Sequence, residues 1–233
     1  LAADHLIPDG DLFTADCQEA AEAATRFERI MLLGIEPTGP STAYGYIAPG
    51  APLGDSGAFT VERFAEKPNR ETAETYVAEG YRWNSGNFVF PARLMQEELS
   101  TYAPEVLNAA RGALEAAVRD LDFLRLDADA FAKAPRISID YAVMEKTRRA
   151  GVLKTRFRWS DIGSWDAMFD VKEKDESGNV LEGAVSVLDT RGSFVRSDEV
   201  LTTVVGLDDV VVVTTPDAVL VTSRAKAAEV KTL

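Results

Sequence analysis

Residues 29–35, RIMLLGI, form a continuous apolar run far shorter than a buried helix. Such a run suits a strand covered on both faces, and a strand of that kind needs helices on either side of its sheet. The flanking patterns supply them. Residues 9–27 read as an Ala-rich helix with Asp9 or Asp11 near its cap. Residues 36–45, EPTGPSTAYG, read as a loop, followed by strands in YGYIAPG and AFTVERFAEKP. A short helix is expected over 69–80 and a strand over 81–92, with Gly86 in its middle. Residues 93–126 read as helical, with a break before Pro104. A further helix is expected over 138–151, with Ser138 as cap and Gly151 as stop. LAADH at the start reads as the end of a buried strand, and GVLKTRFRW has strand composition. Alternating strands and helices define an α/β class with a mixed, mainly parallel sheet.

After about residue 176 the pattern changes. Short Val-rich runs alternate with Gly, Asp, Ser and Pro turns, which reads as a small all-β module of stacked short strands. The expected organisation is a domain over 1–175 and a β-rich module over 176–233, divided at KEKDESGN.

Composition narrows the chemistry. A net charge of −13 disfavours a general nucleic-acid binder but leaves room for anionic small substrates held by local cations. The single cysteine, Cys17, and single histidine, His5, exclude a disulfide framework, a thiolate zinc cluster and a multi-histidine metal site. No apolar run is long enough to span a membrane, and LAADHLIPDG lacks the basic start of a secretory signal, so the expected compartment is the cytoplasm.

Four short segments carry polar groups at element ends. In FRWSDIGSWDAM, Asp161 sits where a strand ends and a helix begins. Such a tip is where α/β sheets bind ligands, and equally where an Asp makes a turn or cap. Ser164 is the better cap for the helix that follows. In RFAEKPN, Glu66 can accept from sugar hydroxyls and Lys67 can meet a phosphate; the alternative is an exposed charged strand end. A continuing strand would point the two to opposite sides. In WNSGNFVF, Asn84 offers a donor and an acceptor beside Ser85 and Gly86, and the alternative is a β-bulge among aromatics. In SIDYAVMEK, Asp140 falls in a first helical turn, which the helix dipole alone explains.

Taken in order, AADH, PTGPSTAYGYI, FAEKP, WNSGNFVF, SIDYAVMEK and WSDIGSW resemble the mannose-1-phosphate guanylyltransferases, a branch of the sugar-phosphate nucleotidylyltransferases. The tail VVGLDDVVVVTTPDAVLVTSR is similar to that family's C-terminal module. The resemblance implies a Rossmann-like three-layer nucleotidyltransferase fold and transfer of a guanylyl group from GTP to mannose 1-phosphate, for GDP-mannose and polysaccharide biosynthesis. It implies a divalent cation, usually magnesium, between Asp4 and Asp161. It assigns the hexose to Glu66 and Asn84, the sugar phosphate to Lys67, and backbone packing against the sugar to Tyr44 and Gly45, with Ser85, Gly86 and Asp140 in the same pocket.

The sequence also departs from that pattern. It contains no Gly-rich segment of the GGxGxRLWP kind, so the fold is expected to be N-terminally incomplete and this polypeptide alone inactive. Ala43 stands where the family usually has Gly, and WNSGN replaces WNSGM. Two other readings stay open: a nucleotidylyltransferase for another hexose 1-phosphate such as glucose 1-phosphate, and a non-catalytic sugar-phosphate-binding module. No nucleic acid or membrane partner is expected, and the β-module offers a surface for a homodimer.

Overall fold

The structure, a computed structural model, describes residues 3–232. Leu1 and Ala2, the first part of the expected initial strand, lie outside the described residues; Ala3 and Asp4 form an exposed bend. Contacts divide the chain into two compact units, residues 7–158 and residues 3–6 with 159–232.

In the first unit, helix α1 (Gly10–Phe27) leads into β1 (Ile30–Ile35), which is buried along its whole length. Next come β2 (Tyr46–Pro52), β3 (Ala58–Ala65), α2 (Arg70–Ala78) and β4 (Arg82–Val89). Then follow α3 (Ala92–Tyr102), α4 (Pro104–Glu115), the hairpin β5 (Val118–Asp120) and β6 (Phe123–Arg125), and the short α5 (Ala128–Phe131). A single π-helical turn (Asp140–Met144) precedes β7 (Ala150–Lys154).

Strand alternation explains why β1 needs cover on both faces. Ile30 and Leu32 pack with Leu94 and Met95 of α3 and with Val143 and Met144 of the π turn. Met31 and Leu33 take the opposite face, and α1 also packs on β1, burying Ala20, Ala23 and Ala24. The sheet has strand order β1-β4-β2-β3-β7, closed into a ring by β7 against β1. It is mixed, as expected, yet only β1 with β7 is parallel and the other four pairings are antiparallel.

Three local expectations need correction. Residues 118–125, expected as helix, form the β5–β6 hairpin, whose turn holds Leu121 at φ +54°. The helix expected over 138–151 shrinks to the π turn, and Gly151 lies inside β7 rather than at a helix stop. A Cβ on Gly151 would meet the Met31 sulfur at 2.5 Å, so a larger residue there would displace the buried Met31 side chain. Asp9 precedes α1 but makes no side-chain cap. Its carboxylate instead accepts from the Arg158 backbone N–H (2.9 Å) and guanidinium (2.8 and 3.0 Å).

That pairing holds the Asp9 carboxyl at about 2, well below its usual 3.8, mainly through the Arg158 side-chain hydrogen bonds. A depressed carboxyl contributes stability above its unfolded value, and the contribution is lost as pH falls through the folded one. The difference in thermal midpoint between the native protein and Asp9→Asn should therefore be fully present above pH 3.8 and shrink toward pH 2. A difference that does not change with pH across that window would reject the pairing.

In the second unit, Leu6 and Ser160 form an antiparallel bridge. Helix α6 (Trp165–Val171) is capped by Ser164, whose Oγ accepts from Ala167 N at 3.1 Å, as its position predicts. Strands β8 (Val180–Leu188), β9 (Phe194–Val205), β10 (Val210–Thr214) and β11 (Val219–Ser223) follow, with a 3-10 segment Arg224–Thr232. β8, β9 and β10 are successive parallel coils: Val180 pairs with Phe194 and Phe194 with Val211. Those three residues stack in one core with Phe169 of α6. Such short parallel connections make a solenoid rather than a βαβ crossover. Gly183, at φ +79°, marks a register shift between β8 and β9, and a Cβ there would run into the Ser197 carbonyl. Among the described residues no helix is long and apolar enough to cross a membrane.

Candidate functional site

The first unit gathers one cluster around the ends of β2, β3 and β4. β3 stops at Ala65, and Lys67 adopts the left-handed region at φ +47°. A non-glycine residue held there signals a locally over-determined turn. The turn is fixed by Lys67 N donating to the Tyr44 carbonyl at 3.2 Å, which sets residues 66–67 beside 44–45. Asn84 N donates to the Gly45 carbonyl at 2.8 Å and brings β4 into the same group. Because the strand has ended, Glu66 and Lys67 do not point to opposite sides. Lys67 Nζ donates to Glu66 Oε1 at 2.7 Å.

The carboxylate and the ammonium differ in burial. The Glu66 side chain is only 8% exposed, whereas that of Lys67 is 59% exposed. Glu66 Oε2 is fully buried with no hydrogen-bond partner among the described residues. It lies against the open side of Gly45, where a Cβ would collide with it. Leaving a buried carboxylate oxygen unmatched is costly, and such an atom marks a place for a donor from outside the chain. Lys67 is pushed above the usual lysine value by its hydrogen bond to Glu66, with smaller support from the charges of Glu66, Tyr141 and Asp140.

The WNSGN bulge is real. β1 advances from Leu32 to Gly34 while β4 moves from Phe88 to Asn84, so β4 carries extra residues around Gly86, itself at φ +71°. Asn84 Oδ1 accepts from Gly86 N (3.1 Å), and its Nδ2 donates to Asp140 Oδ1 (3.1 Å). Asp140 therefore orients the Asn84 amide from a distant part of the chain. Ser85 is buried and accepts from Asn87 through its hydroxyl, so it supports the bulge. Tyr44 packs its ring edge on Trp83 at 4.9 Å.

The second cluster lies in the second unit. The Leu6–Ser160 bridge sets Asp4-His5 alongside Asp161-Ile162. Asp161 Oδ1 accepts from Gly163 N at 3.0 Å, and Ser160 Oγ accepts from Ile162 N at 3.1 Å. Ile162 is β-branched yet held at φ +47°, a conformation its side chain disfavours. The turn-making role open to Asp161 is thus met by one of its oxygens. Among the described residues no group of three or more His, Cys, Asp or Glu side chains forms a metal cage. Two carboxylates alone still suit magnesium, which keeps waters and substrate phosphates in its shell.

Sequence reasoning missed the role of His5. Its Nδ1 accepts from the Trp159 indole N–H at 3.0 Å, with the rings edge to face. This contact braces the segments that carry Asp4 and Asp161. The partners are 154 residues apart, and no local pattern signals them.

Helices packed on a mixed sheet, polar groups at strand ends and a parallel solenoid define an α/β protein followed by a β-helix. A family model described as "Nucleotidyl transferase" matches residues 1–178, and one described as "MannoseP isomerase/GMP-like beta-helix domain" matches 183–233. The chain belongs to the nucleotidyl transferase family. It is 47% identical over 232 residues to the xanthan biosynthesis protein XanB of Xanthomonas campestris pv. campestris (strain B100), covering 99% of this chain and 49% of that protein. It is 43% identical over 234 residues to a mannose-1-phosphate guanylyltransferase of Klebsiella pneumoniae, covering 99% and 50%. A solved structure described as mannose-1-phosphate geranyltransferase from Thermus thermophilus superposes with TM-score 0.86 at 35% identity, over 100% of this chain and 67% of that one. The chain spans about half the length of the curated relatives it matches.

Proposed function

We propose that this chain carries the sugar-phosphate and metal-binding parts of an enzyme that moves a guanylyl group from GTP to mannose 1-phosphate. A phosphate oxygen of the sugar phosphate attacks the α-phosphorus of GTP. The bond to the β-phosphate breaks, and GDP-mannose and pyrophosphate result. The nucleophile is already anionic, so the reaction needs positioning and charge neutralisation rather than a general base. That suits a chain with a single histidine, here engaged by Trp159.

The observation that carries the reading is the unmatched buried oxygen of Glu66 beside the charged Lys67. A hydroxyl donor next to an anion is what a sugar phosphate offers. Glu66 accepts the sugar hydroxyl, Lys67 neutralises the phosphate, and Asn84, oriented by Asp140, supplies its remaining N–H. Gly45 and Gly86 leave room for the ring, with Tyr44 and Ser85 behind them. Family members generally use a divalent cation. Asp4 and Asp161 would hold it, as Mg2+ in this reading, and it would supply charge neutralisation at the triphosphate. The domain division we infer is 1–175 for the transferase part and 176–233 for the β-module. The compartment we infer is the cytoplasm.

Thermal midpoints of this polypeptide, measured with mannose 1-phosphate or glucose 1-phosphate, test the substrate assignment. Binding to the native state raises the midpoint. Mannose 1-phosphate should raise it more than glucose 1-phosphate at equal concentration. Equal or reversed shifts would move the assignment to another hexose, and no shift with either would overturn it.

A further inference from the structure

His5 is the only histidine of the chain, and the proposed reaction needs no general base from it. Its Nδ1 accepts from the Trp159 indole N–H at 3.0 Å, with ring centroids 5.3 Å apart. An indole is a donor only, so the ring nitrogen facing it carries no proton. The single proton of the neutral imidazole therefore sits on Nε2, and the Trp159 contact fixes that tautomer. Among the described residues no group accepts from Nε2. His5 is half-buried, and its Nε2 is not sealed in the interior.

Register places that donor. Leu6 and Ser160 exchange both backbone hydrogen bonds, at 2.9 and 3.1 Å. In an antiparallel pair the next position is a non-hydrogen-bonded one, where opposed side chains come closest. Counted on from the bridge, that position sets His5 across from Asp161. Trp159 and Asp161 flank Ser160 and so share one side of their strand. Trp159 is then the diagonal neighbour of His5, within reach of an aromatic side chain. His5 stands between the residue that sets its tautomer and a carboxylate of the cation pair.

The chemistry left to it is narrow. A protonated Nε2 offers no lone pair, so His5 is not a further ligand beside Asp4 and Asp161. It is a neutral donor. What arrives beside a carboxylate that holds magnesium is a phosphate oxygen, which is an acceptor.

We propose that His5 Nε2–H donates to an oxygen of the polyphosphate that departs as pyrophosphate. The role rests on the reading of Asp4 and Asp161 as the cation pair. Negative charge grows on the departing group during transfer, and a donor already fixed in place stabilises it without reorganising. The proton stays on Nε2 throughout.

Because the chain has one histidine, nitrogen-15 labelling of the imidazole reports His5 alone. In the 233-residue chain Nδ1 should give the signal of an unprotonated ring nitrogen and Nε2 that of a protonated one. Magnesium alone should leave the proton on Nε2. Magnesium with pyrophosphate should shift Nε2 and its proton, keep Nδ1 unprotonated, and move the amide signals of Ile162 and Gly163. Amide shifts without an Nε2 shift overturn the role of His5 and leave the cation site standing. No shift anywhere overturns both. A protonated Nδ1, or an Nε2 that loses its proton to magnesium alone, overturns the donor.

Two variants separate a donor from a brace. Asn carries its amide oxygen where Nδ1 lies but does not reach the position of Nε2, whereas Gln reaches it with an amide N–H. His5→Asn should weaken binding of magnesium pyrophosphate about tenfold by calorimetry, and His5→Gln less than about threefold. An Asn variant that binds as well as the Gln variant, or better, would show that His5 only braces Trp159 and would overturn the proposal.

Discussion

Asp161→Asn should lower magnesium-dependent pyrophosphate release from GTP and mannose 1-phosphate by at least about a thousandfold, several kcal/mol of barrier. The assay belongs in a polypeptide that carries a Gly-rich segment of the GGxGxRLWP kind, because none occurs within these 233 residues. The substitution separates the two roles of the side chain. An Asn oxygen still accepts from Gly163 N, so the turn that holds Ile162 at φ +47° survives. The charge and the second carboxylate oxygen are lost. Asp161→Ala removes the turn contact as well and should cost stability in addition to rate. Asp4→Asn should match Asp161→Asn in rate, because the Leu6–Ser160 bridge sets the two segments side by side. Turnover like that of the native protein at low magnesium in either Asn variant would show that the pair does not hold the cation.

Elements with a strong local signal were legible. Ser164 is a cap one residue ahead of a helical pattern, and Asn69 caps α2 by accepting from Thr72 N at 2.9 Å. The all-buried β1 follows from six apolar residues in a row. The stacked strands of the β-module follow from Val-rich runs separated at short intervals by turn residues, though their parallel solenoid pairing does not. The hairpin was not legible. GALEAAVRDLDFLRL is rich in good helix formers, and its turn uses Leu121 at a positive φ instead of the usual Gly or Asn. The helix expected at Ser138 failed for a different reason. Its apolar residues Ala142, Val143 and Met144 serve the core against α3, and the chain then returns at once into β7. Packing over a short span outweighed propensity.

The candidate sites divide in the same way. Glu66, Lys67, Asn84 and Gly86 sit in contiguous motifs, so their presence could be read from the chain. The hydrogen bond from Asn84 to Asp140 spans 56 residues, and the Asp9–Arg158 pairing spans 149. Such contacts carry no sequence period. Nor does composition reveal that a left-handed Lys67 turns Glu66 toward Gly45 and leaves one oxygen unmatched.

The second large effect rests on that turn. Lys67→Ala should raise the Michaelis constant for mannose 1-phosphate about 10- to 100-fold, the range expected for one charge-assisted contact to phosphate. The constant for GTP should stay nearly unchanged. Backbone strain does not confuse the comparison, because Lys and Ala carry similar penalties at φ +47°. The loss has two sources: the phosphate loses its cation, and the buried Glu66 carboxylate loses its partner at 2.7 Å. Lys67→Arg separates them. It restores a cation to Glu66 but presents a planar fork where the ammonium was a compact point charge. Stability should return with Arg, and sugar-phosphate use should return only in part. The pH profile adds a sign. Lys67 is raised above its usual 10.5, so its charge is fully present below that value and is lost only as pH rises through the higher folded one. The ratio of Michaelis constants between Lys67→Ala and the native protein should therefore stay flat across neutral and mildly alkaline pH. A ratio that collapses toward one below about pH 9, well under the usual lysine value, or a rise confined to GTP, would remove Lys67 from the sugar-phosphate site.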